Sequence, residues 1–531
     1  MTLLLSLSAL CGLASVNEAE ALSRGARKTR VFNTGLAAKQ TKSPDPSRDA
    51  ALRNQLTGAL KAAQSGQFQN AAAQLFNLGR RSELESERPQ IKYILGLMLM
   101  EMKLHQTAAF QFVDVIRMKH PKYSKLSIEK LSIVADLLGD DTLLNYAISR
   151  VDLKDVPSTM ADMIHFRLGE IKQQAQKFED SIRSYNQVTP GSSYYNQALF
   201  NKGLAYLELG QTAPAIQVFQ GLMGLRAQTG VTDTNRVAAQ LALARALYQA
   251  KRWDESVEAY SEIPRDHHLW HDALFEQSWA MLRSARFRSA LSNFQSIHSS
   301  YYEDAYIPES LLLRSIIYLY ICKYDEMEKV LSLFDRTYGP VRARISDFMR
   351  SHNDSYSYYN EVEKAQIYFK DIEKPNNLKI PLMVAKGVLN EGDVRRSLAY
   401  IKRLNDERSR IDESAFRGTP LGLYGLKILA NRLKNTKLAI GDMVKGHFQD
   451  MRTELKDLYE QAGFVRYEMI NGKKEFIKKR LAGRDLPEAS MDENFSREFY
   501  IKNGYEYYPF KGEYWLDEIG NYHYLGKQSC E

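Results

Sequence analysis

The sequence is poor in three residue types that mark particular classes of protein. It has three cysteines in 531 residues, Cys11, Cys322 and Cys530, with no CxxC pair, which argues against a zinc module and a dense disulfide framework. Its 30 glycines and 15 prolines make up about 8.5% of the chain, below the roughly 12% that these two residue types average together. Because turn formers are scarce, we expect long helices.

Motifs of catalysis are also missing. No GxSxG, HExxH or phosphate-binding glycine loop occurs, so no nucleophile, metal site or nucleotide site can be assigned. The densest histidine group, His267-His268-Leu269-Trp270-His271, follows Pro264 and is better explained as a polar connector than as a metal site. The sequence therefore predicts a protein that is not an enzyme, with no catalytic residue, metal or cofactor.

The charge is nearly balanced, with 72 basic and 64 acidic residues and a net charge of +8. This mild excess weakly favours anionic partners such as membrane surfaces, and it does not indicate nucleic acid. Residues 22–49 are basic and contain few large apolar side chains. They are predicted to form a flexible linker, which is either a solvated spacer or a contact to an anionic surface.

The first residues have the pattern of an export signal. An uncharged apolar run from Thr2 to Val16 precedes Ala19-Glu20-Ala21, which fits a signal peptide over residues 1–21 and its cleavage site. No lysine or arginine precedes the run, so either Met1 is the true start or the start lies upstream. Elsewhere no apolar run reaches the ~18 residues of a membrane span. We expect a periplasmic or outer-membrane-associated protein without a transmembrane segment in the mature chain.

A helical-hairpin pattern recurs over residues 50–340. In one copy, small residues at Gly203 and Ala215 allow two antiparallel helices to approach, while Tyr206 and Phe219 fill the space between hairpins. The pattern resembles the tetratricopeptide repeat, whose period is about 34 residues. The small position of the second helix recurs at intervals of 34 to 41 residues, at Ala71, Ala108, Leu144, Ser181, Ala215, Ser256, Ala290 and Met327.

This resemblance implies an all-α, tetratricopeptide-type α-solenoid of about eight helical hairpins. It also implies that the first helices line a groove that binds protein partners. The aromatic and arginine residues predicted to face this groove are of types that often anchor interfaces, although packing between hairpins is the alternative. The predicted groove residues are Gln173, Gln174, Glu208, Arg245, Tyr248, Trp279, Arg283 and Tyr320.

Residues 341–485 leave the repeat pattern but remain helical. A heptad seam over residues 444–469 predicts one long amphipathic helix, which needs a second apolar surface. That surface belongs either to the chain's own helices or to a partner helix, including a second copy in a coiled coil. The seam residues are Val444, Phe448, Met451, Leu455, Leu458, Ala462, Val465 and Met469.

The last segment, residues 486–531, is rich in aromatic residues, with eleven among the thirty residues from Phe495 to Tyr524. Its glycines and proline predict a small non-helical cap, or a β-hairpin that turns near Ile519-Gly520-Asn521. The rings either stack on the terminal hairpins or bind sugar or peptide. The candidate binding residues are Tyr507, Tyr508, Tyr514 and Trp515.

Cys322 and Cys530 are the two thiols that remain once the signal peptide is removed. A bridge between them requires the C-terminal segment to fold back onto the last hairpin. Otherwise Cys530 stays free or pairs with another chain.

Together these patterns predict an exported scaffold or assembly factor of the bacterial cell envelope, similar to exported tetratricopeptide-repeat proteins of envelope machinery. Its predicted partners are envelope proteins or peptides. The alternative is a carbohydrate- or peptidoglycan-binding module carried by the aromatic C-terminal segment.

Overall fold

The computed structural model describes residues 46–150, 160–224, 233–303, 305–371, 377–481 and 513–524. Twenty α-helices account for most of these residues, and no strand occurs among them. None of the described helices is both long enough and apolar enough to cross a membrane. The all-α fold class is therefore confirmed, while the predicted signal peptide and most of the predicted linker lie outside the described residues.

The chain divides into two compact units, of which the first comprises residues 1–195 and 390–443. Its described residues begin with four helical hairpins, in which each odd-numbered helix is followed by its even-numbered partner. These helices are α1 (Pro46–Gln64), α2 (Phe68–Leu78), α3 (Arg88–Glu101), α4 (His105–Arg117), α5 (Tyr123–Leu138), α6 (Thr142–Ile148), α7 (Ala161–Gln174) and α8 (Phe178–Tyr185).

The second unit comprises residues 196–389 and 444–531. It contains four further hairpins, the last of which has a much longer second helix than the others. These helices are α9 (Tyr195–Glu208), α10 (Thr212–Gly224), α11 (Asp233–Gln249), α12 (Trp253–Ser261), α13 (Trp270–Arg283), α14 (Phe287–Ile297), α15 (Pro308–Tyr320) and α16 (Tyr324–Ser351).

Four helices follow the hairpins. They are α17 (Ser355–Lys370), α18 (Leu382–Asn390), α19 (Gly392–Glu413) and α20 (Pro420–Leu481). The last of these has 62 residues, and its residues from Val444 onward belong to the second unit. A single long helix is what the apolar pattern of this region predicts.

Every hairpin turns through one residue in the left-handed backbone region. Five positions later lies the small-residue position of the second helix, and all eight of those positions are fully buried, at 0% exposure. The turn and the buried position thus repeat in the register that the sequence predicts. The turn residues are Gly66, Lys103, Gly139, Gln176, Gly210, Lys251, Ala285 and Cys322.

Ala285 has a φ of 59°, a conformation that costs an L-residue about 1–2 kcal/mol and glycine almost nothing. Glycine also increases the conformational entropy of the unfolded chain, which offsets part of the stabilisation gained at the turn. We therefore expect Ala285→Gly to stabilise the second unit by about 0.5–1 kcal/mol, measured as a higher Tm by circular dichroism. The control is Ala213→Gly, at an exposed site inside α10, which should lower the Tm; a lower Tm for both variants would contradict the prediction.

Close helix approach within a hairpin depends on the small residues of the first helix. A Cβ atom on Gly203 would lie 2.6 Å from the ring of Phe219, and one on Gly96 would lie 2.6 Å from the ring of Phe112. Both aromatic rings are fully buried, at 0% exposure. The glycines therefore create the space that the aromatic side chain of the second helix fills.

The heptad seam of α20 packs on helices of the same chain. Within the second unit, the Phe448 ring lies 5.8 Å from that of Phe348 on α16, and the Tyr459 ring lies 4.8 Å from that of Phe334. Leu455 is fully buried. Of the two alternatives that the sequence left open, packing on the chain's own helices is the one observed, and self-association through this helix stays a prediction.

Candidate partner-binding surface

Six of the eight predicted groove residues lie on the first helices of the second unit. Glu208 and Arg283 are exposed at the ends of α9 and α13. Tyr320 at the end of α15 is 60% exposed. The first helices therefore present polar and aromatic side chains to solvent near their C-terminal ends.

Arg245 on α11 is already paired within the protein. Its Nε and Nη2 atoms donate to the two carboxylate oxygens of Glu276 on α13, at 2.7 and 2.5 Å. The Tyr260 hydroxyl donates to the same carboxylate at 2.9 Å, and the pair with Glu276 raises the pKa of Arg245 although burial opposes it. Arg245 thus connects two successive hairpins, and a direct contact between it and a partner stays a prediction.

Trp279 on α13 begins a cluster of polar and aromatic groups. Its indole N–H is directed at the carboxylate of Glu309, the second residue of α15, and this contact partly offsets the effect of burial, which raises the pKa of Glu309. On α20, Glu454 accepts a hydrogen bond of 3.1 Å from the Tyr306 hydroxyl. Burial and the nearby charge of Glu309 raise the pKa of Glu454 to about 7.

The two glutamates have no cation to neutralise them among the described residues. Glu454 is nevertheless in contact with solvent, so surrounding protein raises its pKa while the side chain remains accessible. A surface with two carboxylates, an indole and a phenol is suited to a basic side chain of a partner.

Two aromatic pairs complete the surface. The ring of Tyr248 meets that of Trp253 edge-on at 4.9 Å. The ring of Tyr320 stacks on that of Phe287 at 5.4 Å, with 11° between the planes. Because these partners hold the rings in place, little side-chain entropy remains to be lost when another molecule contacts the exposed Tyr320.

The remaining two predicted groove residues lie on α7 of the first unit. Gln173 accepts a hydrogen bond of 2.8 Å from the hydroxyl of Tyr185 on α8, so its side chain serves packing within its own hairpin. Gln174 is exposed and ends the helix.

The described part of the C-terminal segment, residues 513–524, forms a turn on the second unit. The backbone N–H groups of Gly520 and Tyr524 donate to the hydroxyls of Ser296 and Ser292 on α14, at 2.7 and 2.9 Å. Gly520 has a φ of +87°, and a Cβ there would lie 2.7 Å from the Trp270 ring. The turn occurs close to the predicted position, and no strand occurs within these twelve residues.

Only half of the predicted C-terminal binding residues can be placed, because Tyr507 and Tyr508 lie outside the described residues. The hydroxyl of Tyr514 accepts a long hydrogen bond from Gln295 on α14, at 3.5 Å. Trp515 is 61% exposed. Tyr514 therefore helps to attach the segment, while Trp515 is available to a ligand.

A contact between a histidine and a serine resembles the base and nucleophile of a catalytic pair, but the histidine here donates to the serine. The Nε2 atom of the half-buried His298 lies 2.8 Å from the Oγ atom of Ser310. Arg314 has only donors, and its Nη1 lies 3.1 Å from Nδ1 of His298, so Nδ1 accepts and Nε2 carries the proton. Since Ser310 donates to the Ile307 carbonyl oxygen at 2.7 Å, His298 is not placed to take its proton.

The histidine group in the α12–α13 connector makes separate contacts. Nδ1 of His267 accepts a hydrogen bond from the backbone N–H of Leu269 at 3.2 Å. The ring of His271 lies 4.2 Å from that of Tyr302. Neither histidine is part of a group of metal-type ligands among the described residues.

The acidic partners Glu276, Glu309 and Glu454 were not predicted from the sequence. A usable signal existed for two of them, because Arg245 and Trp279 contact residues 31 and 30 positions later. This spacing equals the repeat period minus one turn of helix. It therefore connects residues on equivalent faces of successive first helices.

Comparison with known proteins identifies one hairpin by sequence. Residues 197–225, which cover most of α9 and α10, match the family model described as tetratricopeptide repeat. No curated protein matches the chain. The structure is thus an all-α protein of helical hairpins, one of which is a tetratricopeptide repeat by its sequence.

Solved structures that resemble the chain are remote from it. A Rap protein complexed with Competence and Sporulation Factor shares 10% identity over 73% of this chain and 99% of its own, with a TM-score of 0.28. The apo form of the quorum sensor NprR from B. thuringiensis shares 11% over 73% and 99%, with a TM-score of 0.30. The P58(IPK) TPR domain shares 13% over 72% and 99%, with a TM-score of 0.18.

Proposed function

We propose that the protein is an exported scaffold or assembly factor that binds another protein of the bacterial cell envelope. The observation that carries this proposal is the first-helix surface of the second unit, where Arg283 and Tyr320 are exposed on neighbouring hairpins and Trp279 contacts the carboxylate of Glu309. Hairpin repeats commonly use such extended surfaces to bind proteins. The carboxylates of this surface favour a partner segment that carries lysine or arginine.

The state of Cys322 supports export. Cys322 is disulfide-bonded, and disulfides persist mainly in oxidising compartments such as the bacterial periplasm. Together with the predicted signal peptide, this supports a periplasmic or outer-membrane-associated location. Detection of the intact, uncleaved amino terminus in the cytosol would contradict it.

The test places a photo-crosslinking residue at Tyr320 or Arg283 in cells and identifies the crosslinked protein. Once the partner is known, replacing Trp279, Arg283 or Tyr320 by alanine should weaken its binding by over ~1 kcal/mol per anchoring residue, about fivefold in Kd. Arg336→Ala is the matched control, because Arg336 is exposed on the second helix α16. If all three variants keep the native circular dichroism spectrum and bind the partner with unchanged affinity, these residues serve packing and do not anchor the partner.

A second candidate is binding of carbohydrate or peptidoglycan through the C-terminal segment, favoured by the 61% exposure of Trp515. Amphipathic aromatic rings at a partly wet surface suit sugar binding. Sedimentation with purified peptidoglycan that is lost in Trp515→Ala and kept in Tyr320→Ala would favour this candidate over the scaffold.

A further inference from the structure

A cavity of about 190 Å³ lies in the first unit, away from the surface described above. It is bounded by the turn between α3 and α4, the end of α5 and one face of α19. Three cationic side chains, Lys103, Arg403 and Arg410, line it together with His105. The cavity opens to solvent, since Lys103, Arg403 and Arg410 are exposed, and its volume far exceeds the roughly 10–15 Å³ that one water requires by this measure, so a small polyatomic ion fits.

Backbone contacts hold the cations around the cavity. Lys103 is the left-handed turn residue between α3 and α4, with a φ of 58°. Its carbonyl oxygen accepts a long hydrogen bond of 3.5 Å from Nη1 of Arg410. Nη1 of Arg403 donates to the carbonyl oxygen of Leu138, at the end of α5, at 2.5 Å. Each guanidinium therefore keeps further N–H groups for another acceptor.

Two carboxylates line the cavity beside the three cations. Glu407 accepts hydrogen bonds from the backbone N–H groups of Gln106 and Thr107, at 2.7 and 3.0 Å, so it is engaged by the beginning of α4. Asp406 is the other acidic residue of the lining. Glu407 also interacts electrostatically with Arg410, and the lining of three cationic and two acidic side chains keeps an excess of one positive charge.

His105 also lines the cavity. Its Nδ1 atom is buried and has no hydrogen-bond partner among the described residues. Burial and the charges of Arg410 and Lys103 lower the pKa of His105. A buried polar atom without a partner is costly, and it is unusual in a native structure unless a ligand or water completes it.

We propose that this cavity binds a tetrahedral oxyanion of the phosphate type, held by Lys103, Arg403 and Arg410. Two guanidinium groups and an ammonium group match the oxygens and the charge of phosphate better than those of a single carboxylate. The site belongs to the first unit alone, so it does not depend on partner binding by the second unit.

The test is isothermal titration calorimetry of the full chain with sodium phosphate at constant ionic strength. Saturable binding with one site per chain is expected, and Lys103→Gln and Arg410→Gln should each raise the Kd about tenfold. Glycerol 2-phosphate is titrated in parallel: binding of the ester assigns the site to a phosphate group carried by another molecule, and binding of inorganic phosphate alone assigns it to the free ion. Either result supports an oxyanion site.

Arg408→Gln is the matched control, since Arg408 is exposed on the same helix and lies within 3.9 Å of the Asp412 carboxylate, outside the cavity lining. It should leave the Kd unchanged, whereas Asp406→Asn should lower it. Absence of saturable binding would overturn the proposal. So would an equal loss in Arg408→Gln, because that would indicate non-specific attraction to a basic surface.

Discussion

Digestion of the unreduced protein should yield one linked peptide that contains Cys322 and Cys530. Cys322 is disulfide-bonded in the structure, and the other cysteines of the chain, Cys11 and Cys530, lie outside the described residues. Cys11 falls within the predicted signal peptide. Mature protein would therefore retain Cys530 as the intramolecular partner.

The docked C-terminal turn brings the chain close to Cys322. The ring of Tyr524 lies 6.4 Å from that of Tyr318 on α15, four residues before Cys322. Cys530 follows Tyr524 by six residues, which can span at most about 20 Å. Geometry therefore permits the bridge without rearranging the described part of the segment, and Ile519, with 2% exposure, fixes the turn in place.

The expected effect of removing the bridge is large. It would close a loop of about 200 residues, and in the chain-entropy model such a loop contributes about 5 kcal/mol to the free energy of unfolding. Cys322→Gly is the preferred variant, because the φ of 54° at Cys322 suits glycine and the turn itself is not strained by the change. Because glycine at this φ favours the turn, as at Ala285, a marked fall in the Tm of the second unit would report the loss of the bridge.

Cys530→Ser should cause a similar fall, and Cys11→Ser should cause none. Hydrogen exchange over residues 513–524 should accelerate in both bridge variants, because the turn then depends on a few hydrogen bonds and Ile519. A linked Cys11–Cys322 peptide, or two alkylatable thiols in the mature protein, would contradict the assignment.

The parts of the fold that repeat locally could be predicted from the sequence. Ala71, Ala108 and Ala290 are small for the same reason, namely that two helices meet at each, and all are fully buried. The seam of α20 was predictable because a seven-residue apolar period is a property of one continuous segment. Both signals depend on residues close together in the chain.

The partners of charged groups could not be predicted in the same way. Tyr306 and Glu454 are 148 residues apart, and Thr107 and Glu407 are 300 apart. Such contacts arise when α19 and α20 pack on hairpins formed much earlier in the chain, and no local periodicity encodes that docking. Arg245 shows the consequence, because its residue type suggested a binding anchor while its partner Glu276 makes it a connection between hairpins.

Glu407→Gln should destabilise the docking of α19 in the first unit by about 2–4 kcal/mol. Glu407 is 1% exposed. One of its oxygens accepts from the N–H of Gln106, and the other accepts from the N–H and the hydroxyl of Thr107. An amide offers one acceptor oxygen, so its NH2 group would face a backbone donor, and a buried N–H at the first turn of α4 would lose its partner.

Hydrogen exchange measures this effect at the bonds concerned. The amide protons of Gln106 and Thr107 should exchange at least tenfold faster in Glu407→Gln, since each 1.4 kcal/mol of lost local stability corresponds to a factor of ten. Glu413→Gln is the control, because Glu413 is exposed at the end of the same helix and should leave both amides protected. Equal protection in wild type and Glu407→Gln would show that the beginning of α4 is stabilised by its own hairpin and not by α19.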